Sequence, residues 1–292
     1  MKIVRSIKKM QRISQEMKKQ GYTVGFVPTM GALHEGHLSL IRRARKENDR
    51  VIVSIFVNPI QFGPKEDFKK YPRPIKQDLK ICKENKVDIV FNPKEKEMYP
   101  QKTILTFVEV KKLQDILCGK YRPGHFRGVA TVVTKLFNIV KPHRAYFGEK
   151  DYQQLKIIKQ MVRDLNFDIK IIPVKTVREK DGLALSSRNL YLSPIERKYA
   201  PALYKSLLYC KELLLNKNYK SIKKGIFSAK KYLENLLQGT DYKIQYFEIY
   251  DEYLNKIPDD FDKIKNKSLR IFAAIFIGNV RLIDNLEVIL DR

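Results

Sequence analysis

Residues 26–41 have the sequence Phe-Val-Pro-Thr-Met-Gly-Ala-Leu-His-Glu-Gly-His-Leu-Ser-Leu-Ile. The stretch begins as an apolar run typical of a β-strand, and we expect Pro28 to end that strand because proline has no N–H to donate. After Gly36 the apolar residues recur at helical spacing. A strand, a glycine-containing loop and a helix N-terminus favour anion binding, because unpaired N–H groups and the helix dipole meet there. His34 and His37 favour a nucleotide phosphate, and the alternative is a tight turn with two ordinary histidines.

Strand-like and helix-like segments alternate from this stretch outward. The run 51–57 is apolar at every position except Ser54, as expected for a parallel strand that is covered on both faces. Further strands are predicted at 22–28, 87–91, 145–147 and 169–177, and helices at 6–20, 37–48, 75–86, 128–140 and 152–165. This alternation predicts an α/β fold, with a Rossmann-like, mostly parallel sheet and helices on both faces. Ligands bind outside the carboxyl ends of such strands, so the loops 28–37, 58–63 and 148–154 are expected to line one crevice.

The pattern changes after residue 177. Two long amphipathic helices are predicted at 194–216 and 219–237, followed by strand-like runs at 243–250, 269–277 and 281–290. Helices followed by strands of antiparallel character favour a smaller α+β domain. We therefore expect a Rossmann-like domain over residues 1–176 and a smaller domain over residues 177–292.

Composition excludes several classes of protein. The 292 residues are 43% hydrophobic, which is typical of a globular chain, and no apolar run is long enough to cross a membrane. Three widely spaced cysteines and the lack of a signal-peptide pattern favour a reducing cytoplasm. The net charge of +26 is compatible with nucleic-acid binding, but the lysines are spread along the chain. A biased amino-acid composition without a charged partner is the favoured explanation.

Two other polar stretches carry donors suited to a nucleotide. In 148–154, Lys150 offers a mobile positive charge for phosphates, and Asp151 offers either a helix cap or a ribose contact. In 182–189, two hydroxyls and a guanidinium are suited to phosphate oxygens, and a flexible loop of this kind can close over a ligand. A capped helix start and a solvated linker are the respective alternatives. Neither a Ser-His-Asp order nor an HExxH signature is present, so a hydrolase is not indicated.

The polar stretches together resemble a known family. His34-Glu-Gly-His37 is similar to the HxGH signature of nucleotidylyltransferases and class I aminoacyl-tRNA synthetases. The more specific motifs are Phe56-Val-Asn-Pro-Ile-Gln-Phe-Gly63, Tyr121-Arg-Pro-Gly-His-Phe-Arg-Gly128, Phe147-Gly-Glu-Lys-Asp-Tyr-Gln-Gln154 and Asp181-Gly-Leu-Ala-Leu-Ser-Ser-Arg-Asn189. In this order they resemble the pantothenate synthetase (pantoate–β-alanine ligase) family. The resemblance covers nearly the whole chain and is weakest over 195–270.

The resemblance implies an AMP-forming ligase of the coenzyme A pathway that uses ATP and Mg²⁺. Pantoate's carboxylate would attack the α-phosphorus of ATP, giving pantoyl adenylate and pyrophosphate. The amine of β-alanine would then attack the acyl adenylate, releasing AMP and pantothenate. A cytoplasmic homodimer that binds neither nucleic acid nor membrane is also implied.

The resemblance also implies site residues. His34 and His37 would stabilise the transferring phosphoryl group and the leaving pyrophosphate, with His37 as proton donor. Lys150 and Arg188 complete the implied catalytic set. The implied ATP contacts are Met30, Gly31, Ala32, Leu33, His34, Glu35, Gly36, His37, Gly148, Glu149, Lys150, Asp151, Val177, Leu185, Ser186, Ser187 and Arg188. Gln61 and Gln154 would bind pantoate and β-alanine, since an amide both donates and accepts hydrogen bonds. The metal ligands are unknown, with Asp78 as a possible carboxylate.

Within the implied ATP set, different parts of the nucleotide are expected to meet different residues. Residues 30–37 would cradle the phosphates, and Lys150 with 186–188 would hold the β- and γ-phosphates, as the KMSKS loop does in synthetases. Gly148 and Asp151 would meet the ribose, and the backbone of Val177 and Leu185 the adenine.

Two other functions remain open from the residues alone. One is a class I synthetase-like enzyme, or another HxGH nucleotidylyltransferase, that acts on a different acid or on nucleic acid. The Ser-Ser-Arg sequence at 186–188, where synthetases carry lysines, favours the ligase. The other is a basic nucleotide- or RNA-binding protein without catalysis, which leaves the second histidine unexplained.

Overall fold

The computed structural model describes residues 1–64, 66–101, 104–216, 221–259, 264 and 267–290. The chain divides into two compact units. The first unit comprises residues 1–149 and 153–175, and the second comprises 150–152 and 176–292. The sequence prediction assigned Lys150–Tyr152 to the first domain, whereas the structure groups these three residues with the second unit.

A parallel six-stranded sheet forms the centre of the first unit. In chain order its elements are β1 (Lys2–Val4), α1 (Ile7–Lys19), β2 (Val24–Thr29), α2 (Glu35–Glu47), β3 (Arg50–Ile55), α3 (Ile75–Glu84), β4 (Ile89–Phe91), α4 (Glu95–Met98), α5 (Cys118–Tyr121), α6 (His125–Val140), β5 (Arg144–Gly148), α7 (Tyr152–Asp164) and β6 (Lys170–Val174). The strand order is β1-β4-β3-β2-β5-β6. The predicted Rossmann-like α/β fold is therefore confirmed.

Helices cover the two faces of this sheet. Successive side chains of a strand point to opposite faces, and Phe26 packs edge-on against Phe137 of α6 at a ring-centroid distance of 6.4 Å. The next residue, Val27, is fully buried in a cluster with Ile41 of α2 and other apolar residues. Because both faces are buried, the central strands are apolar at almost every position, which is the pattern that the sequence shows at 51–57.

The expectation that Pro28 ends the second strand is wrong. β2 continues to Thr29, and Pro28 is in register with Ser54 of β3. The carbonyl of Thr29 accepts a hydrogen bond from the N–H of Phe56 on the β3 side. The backbone N–H and C=O groups of successive residues point to opposite edges of a strand. Because the carbonyl of Thr29 faces β3, the nitrogen of Pro28 faces β5, and the pairing of β2 with β5 has already ended at Phe26. The missing N–H therefore interrupts no ladder bond.

Other boundaries differ by a few residues. β1 was not predicted, because three residues carry too little pattern, and it pairs with β4 at the edge of the sheet. α6 begins at His125, three residues before the predicted start at 128.

Among the described residues, no helix combines the length and the apolar character needed to cross a membrane.

The second unit is a small α+β structure, as predicted. Its elements are α8 (Pro194–Tyr199), α9 (Ala202–Leu215), α10 (Ile222–Leu237), β7 (Tyr242–Asp251), β8 (Ser268–Ile277) and β9 (Val280–Ile289). The strands form an antiparallel sheet in the order β7-β8-β9. One face carries Ile271 and Ile275, which are fully buried with residues of α9 and α10. The other face of β8 carries Arg270 and Phe272, because side chains alternate along a strand.

The helix predicted over 194–216 is divided in the structure. α8 ends at Tyr199 and α9 begins at Ala202, with Pro201 as its N-cap residue. Pro201 has no N–H to donate to the carbonyl of Arg197, so the helical ladder is interrupted there. The predicted start of the next helix at 219 lies outside the described residues.

Candidate active site

The strand order places two of the predicted loops at the point where the winding of the sheet reverses. β3 pairs with one edge of β2, and β5 pairs with the other edge. Ligands of doubly wound sheets bind outside the carboxyl ends of the strands at this switch point. The two strands end here at Thr29 and Gly148. The histidine stretch follows Thr29 directly, so a local pattern and the global topology indicate the same edge of the sheet.

A buried carboxylate holds the loop that follows β2. Asp78 of α3 is 1% exposed, and its two oxygens accept the N–H groups of Ala32 at 2.9 Å and Leu33 at 2.8 Å. Burial raises the pKa of Asp78, and these two donors oppose the rise. Gly31 has a φ of +84°, and a Cβ at this position would lie 2.8 Å from Asp78 Oδ2. The loop conformation thus requires both the glycine and the carboxylate.

The two histidines cap the N-terminus of α2. His34 is the N-cap residue, and its Nδ1 accepts the N–H of Gly36 at 3.1 Å. His37 occupies the third position of the helix, and its Nδ1 accepts the N–H of His34 at 3.4 Å. An Nδ1 that accepts a hydrogen bond carries no proton, so each neutral imidazole has its proton on Nε2. The ring centroids are 4.2 Å apart. The capping box therefore sets the tautomer as well as the position of both rings.

Gln61 lies in a hydrogen-bonded pocket on the loop after β3. Its Nε2 is 3.1 Å from the sulfur of Met30, and its Oε1 accepts from Asn58 Nδ2 at 3.0 Å. Asn58 is 1% exposed; it also donates to the carbonyl of Gly128 and accepts from the hydroxyl of Tyr99 at 2.7 Å. The structure thus brings the glutamine and the histidine loop together through Met30.

The arginine–histidine motif at the start of α6 supports Gln61, a function that the sequence did not reveal. His125 Nδ1 is 2.8 Å from the carbonyl of Gln61, and His125 Nε2 is 3.0 Å from Arg122. Arg122 forms two hydrogen bonds with Glu66, at 2.7 and 2.5 Å. A Cβ at Gly128 would lie 2.7 Å from the Gln61 backbone nitrogen, so only glycine allows this approach. The motif was visible in the sequence, but its partners lie more than fifty residues away.

Burial raises the pKa of the Glu66 carboxyl, but the hydrogen bonds and positive charge of Arg122 outweigh burial and leave the pKa below its usual value. The side chains of Glu66 and Arg122 are only 24% and 14% exposed. This pair is therefore a shielded support of the Gln61 loop.

Adjacent glutamines at the start of α7 have different surroundings. Gln153 is 5% exposed, accepts the N–H of Cys118 at 3.1 Å and donates to the carbonyls of Leu113 and Ile116. These bonds give Gln153 a structural function. Gln154 is half-buried, and it is the one of the pair that remains a ligand candidate.

In the second unit, Lys150 and Asp151 lie in a 3₁₀ turn, Glu149–Asp151, that leads into α7. The carbonyl of Lys150 accepts a hydrogen bond from Asn285 Nδ2 of β9 at 2.9 Å. Within this unit, no ion pair to the Lys150 ammonium is formed among the described residues. Its charge is therefore not neutralised by a described carboxylate of the C-terminal sheet.

The stretch 177–189 forms a closed loop. The N–H of Leu185 donates to the carbonyl of Val177 at 3.0 Å, so these two backbone groups pair with each other. Arg178 donates to the carbonyl of Gly182 at 3.1 Å and forms a bidentate ion pair with Asp284, whose side chain is 2% exposed. The loop is thereby tied to β9. The N–H of Val177 and the carbonyl of Leu185 take no part in this pairing.

The end of this loop is a helix start. Ser186 is the N-cap residue of a 3₁₀ helix, Ser187–Tyr191, and its hydroxyl accepts the N–H of Arg188 at 3.3 Å. Ser187 is buried, and Asn189 donates to the carbonyl of Ala184. The stretch that was expected either to close over a triphosphate or to be a solvated linker is therefore ordered by its own caps.

A preformed metal centre is not found in the described part of the chain. No group of three or more histidine, cysteine, aspartate or glutamate side chains is arranged to hold a metal ion there. Asp78 was considered a possible metal ligand, but both of its oxygens accept backbone N–H groups. We assign Asp78 to holding the histidine loop.

A doubly wound parallel sheet with a His-x-Gly-His helix cap at its switch point defines an HxGH-type nucleotidyltransferase-like enzyme. The family model of pantoate-beta-alanine ligase matches residues 2–287, and the chain belongs to this family. It is thus an enzyme that joins pantoate to β-alanine, as the sequence motifs predicted.

Similar proteins cover the chain from end to end. A pantothenate synthetase from Coprothermobacter proteolyticus is 56% identical over 292 residues, with 99% of each chain covered. One from Thermotoga neapolitana is 54% identical over 286 residues, covering 98% of this chain and 99% of that protein. The crystal structure of pantothenate synthetase from Thermus thermophilus matches with a TM-score of 0.86 and 43% identity, covering 99% of this chain and 100% of that one.

A further solved relative was crystallised with ligands. Pantoate-beta-alanine ligase from Francisella tularensis, complexed with beta-gamma ATP and β-alanine, matches with a TM-score of 0.77 and 42% identity. The match covers 98% of this chain and 97% of that one.

Proposed function

We propose that the chain activates pantoate with ATP at the switch point of the sheet, and that residues 30–37 bind the phosphates. The pantoate carboxylate attacks the α-phosphorus, the bond to the β-phosphate oxygen breaks and pyrophosphate leaves. The β-alanine amine then attacks the acyl carbon, and AMP leaves. The observation that carries this proposal is the helix cap made by His34 and His37, whose neutral rings have their protons on Nε2. Two fixed N–H donors at a helix N-terminus suit a transition state that gains negative charge.

The second unit supplies the remaining phosphate contacts in this proposal. Lys150 and Arg188 bind the β- and γ-phosphates, since both are cationic and Lys150 has no ion-pair partner within the described part of its unit. Ser186 and Ser187 add hydroxyl donors. We further propose that Gly148, Glu149 and Asp151 contact the ribose, and that the backbone of Val177 and Leu185 contacts the adenine.

Pantoate binding is proposed for Gln61, and Gln154 is proposed to bind pantoate or β-alanine. Gln61 is 8% exposed, and its amide is oriented by Asn58, which donates to its Oε1. An amide held in this way presents a fixed pattern of donor and acceptor, which is suited to a ligand with hydroxyl and carboxylate groups. Affinity for pantoate thus depends on the loop that carries Gln61.

Mg²⁺ is proposed to arrive with the nucleotide. Mg²⁺ is commonly held by one or two carboxylates and by phosphate oxygens, and it keeps several waters. The described residues form no cage for it. When bound to the triphosphate, the ion would neutralise phosphate charge; the side chains named above bind and orient the substrates.

Three assignments at the level of the whole protein remain proposals. We propose that the first unit is the nucleotide- and pantoate-binding domain and that the second is a lid domain. We also propose a homodimer, which the family resemblance implies and light scattering tests. A cytoplasmic location is favoured by Cys82, Cys118 and Cys210, which are buried thiols.

Substitutions that keep the helix cap provide the sharpest test of the histidines. His37→Gln retains a side-chain acceptor at the third helical position, as glutamine does in capping boxes, but removes the imidazole. His34→Asn likewise retains a favourable N-cap. The free energy of unfolding of each variant is expected to lie within about 1 kcal/mol of that of the parent. The step that releases pyrophosphate is expected to lose about 2–4 kcal/mol of transition-state stabilisation. Near-normal turnover of either variant would remove that histidine from the proposed mechanism.

Assays that vary one substrate at a time test the assignments of Lys150 and Gln61. AMP formation from ATP is measured with pantoate, with and without β-alanine, for the parent and for Lys150→Ala and Gln61→Ala. Lys150→Ala is expected to lose about 2–4 kcal/mol in the adenylation step. Gln61→Ala is expected to raise the KM of pantoate more than that of ATP. Equal losses for both substrates would contradict the assignment of Gln61.

A further inference from the structure

One face of the C-terminal sheet is built around Lys150. The helices α9 and α10 cover the opposite face, whose core includes Ile271 and Leu282. The face that carries Arg270, Phe272 and Asn285 instead receives the short segment 150–152. Three residues next to a first-unit strand are thus held by strands more than a hundred residues later in the chain.

The amide of Asn285 has a determined orientation. Its Oδ1 accepts a hydrogen bond from Arg270 Nη1 at 2.7 Å, and its Nδ2 donates to the carbonyl of Lys150 at 2.9 Å. A guanidinium only donates and a carbonyl only accepts, so exchanging the oxygen and nitrogen would break both bonds. Asn285 is 4% exposed and Arg270 is 6% exposed, which shields these bonds from water.

Arg270 holds the same segment a second time. Its guanidinium lies 3.6 Å from the ring centroid of Tyr152, within the range of a cation–π contact. The ring of Tyr152 is also 6.0 Å from that of Phe272. The backbone of Lys150 is therefore fixed at its own carbonyl and again at the side chain two residues later.

A buried arginine is costly unless its charge and its donors are satisfied. Here Glu287 is the nearest carboxylate in the described part of the sheet, at 3.8 Å, and its side chain is 52% exposed. The acceptors of Arg270 are thus chiefly the neutral Asn285 and the face of Tyr152. Stability alone therefore does not account for burying the charge of Arg270, and this indicates another role for the Arg270–Asn285 pair.

We propose that Asn285, oriented by Arg270, is a positioning residue that sets where the Lys150 ammonium meets the phosphates of ATP. This inference rests on the proposed contact between Lys150 and the triphosphate. Displacing a catalytic group by about 1 Å is enough to slow a reaction on the order of 100-fold. The C-terminal sheet therefore takes part in adenylation through the backbone of Lys150, without touching the substrate.

Asn285→Asp tests this inference. The carboxylate keeps the acceptor for Arg270 but has no N–H for the Lys150 carbonyl. Lys243→Gln is the control, because Lys243 lies on β7 of the same sheet, is exposed and contacts neither Arg270 nor Asn285 in the described part of the chain. Two half-reactions are compared: pyrophosphate release in a single turnover with ATP and pantoate, and the attack of β-alanine on pantoyl adenylate supplied ready-made.

Asn285→Asp is expected to slow pyrophosphate release on the order of 10- to 100-fold. The second half-reaction, which transfers no pyrophosphate, and the control variant are expected to stay within about twofold. In Lys150→Ala, adding Asn285→Asp should cause no further loss, because a residue that acts only through Lys150 has nothing left to position. Arg270→Lys, which keeps the charge but loses the planar contacts, should repeat the selective loss if Asn285→Asp does not fold.

Equal slowing of both half-reactions, or a full further loss in Lys150→Ala, would overturn the positioning role. Normal adenylation by Lys150→Ala would instead refute the proposed phosphate contact on which the inference rests. Absence of AMP formation in the parent protein would be a failure of the proposed ATP chemistry itself. The three failures are therefore distinguishable.

Discussion

Asp78→Asn changes a single oxygen at the support of the histidine loop. The carboxylate accepts the N–H groups of Ala32 and Leu33, one on each oxygen. Asparagine has nearly the same shape but keeps only one acceptor, and its NH₂ group then faces an N–H. The variant therefore tests whether the loop depends on the paired acceptors and not on the volume of the side chain.

The expected loss follows from burial. Asp78 is 1% exposed, so water cannot replace the missing acceptor. A buried donor left without a partner costs about 1–3 kcal/mol. Ala32 is also held at a φ of +51°, a conformation that costs a non-glycine residue about 1–2 kcal/mol. We expect the free energy of unfolding of Asp78→Asn to fall by about 1–3 kcal/mol, because relaxation of the loop recovers part of this strain.

Urea unfolding of the parent, Asp78→Asn and Glu84→Gln measures this loss. Glu84 lies on the same helix, its 4.0 Å ion pair with Lys80 is exposed, and its substitution should change stability by less than about 0.5 kcal/mol. Steady-state assays should show a raised KM of ATP for Asp78→Asn at every Mg²⁺ concentration. Unchanged stability, or turnover restored by added Mg²⁺, would refute the loop-holding role and restore Asp78 as a metal ligand.

Three further predictions concern the loop of Gln61. In Gly128→Ala the new Cβ would overlap the carbonyl oxygen of Ile60. We therefore expect the free energy of unfolding to fall by about 1–3 kcal/mol and the KM of pantoate to rise. Unchanged denaturation curves would contradict this prediction. Tyr99→Phe removes the donor to Asn58 and should cost about 1 kcal/mol, with pantoate KM rising more than ATP KM in initial-rate assays. Arg122 lowers the pKa of Glu66 below its ordinary value of 4.5 in the folded protein. The stability that this pair contributes is therefore fully present above about pH 4.5 and is lost as the pH falls through the pKa of the folded state. Urea titrations between about pH 6 and about pH 3 should therefore show a smaller loss for Glu66→Gln than for the parent.

Much of the first unit could be predicted from local pattern. Continuous apolar runs and their spacing with helices were enough for the parallel sheet, because burial on both faces leaves a composition that is visible in the sequence. Pro28 was misjudged because the cost of a missing N–H depends on which neighbour faces it, and that is set by pairing with β5. The break at Pro201 was missed although proline is a known helix breaker, since the apolar spacing continues across it.

The candidate site was predicted in part. The capping residues His34 and His37 are neighbours in the chain, and a helix start is a local event, so their proximity follows from spacing. Their hydrogen bonds, which fix the tautomers, depend on the ring orientations in the folded protein, which spacing alone does not give. The ligand contacts assigned to Gln61, Lys150 and Arg188 remain predictions, which the substitutions above test.

The sequence by itself determined the alternation of strands and helices in the first unit and, through its motifs, the ligase family. It predicted an anion site before α2, which the substitutions of His34 and His37 test. Only the tertiary structure decided how these parts are supported. Asp78 is 46 residues from Ala32, Arg122 is 56 residues from Glu66, and Asn285 is 135 residues from Lys150. The reason is physical: a local pattern reports backbone preference and burial, whereas these hydrogen bonds form only once long loops have closed and brought their ends together.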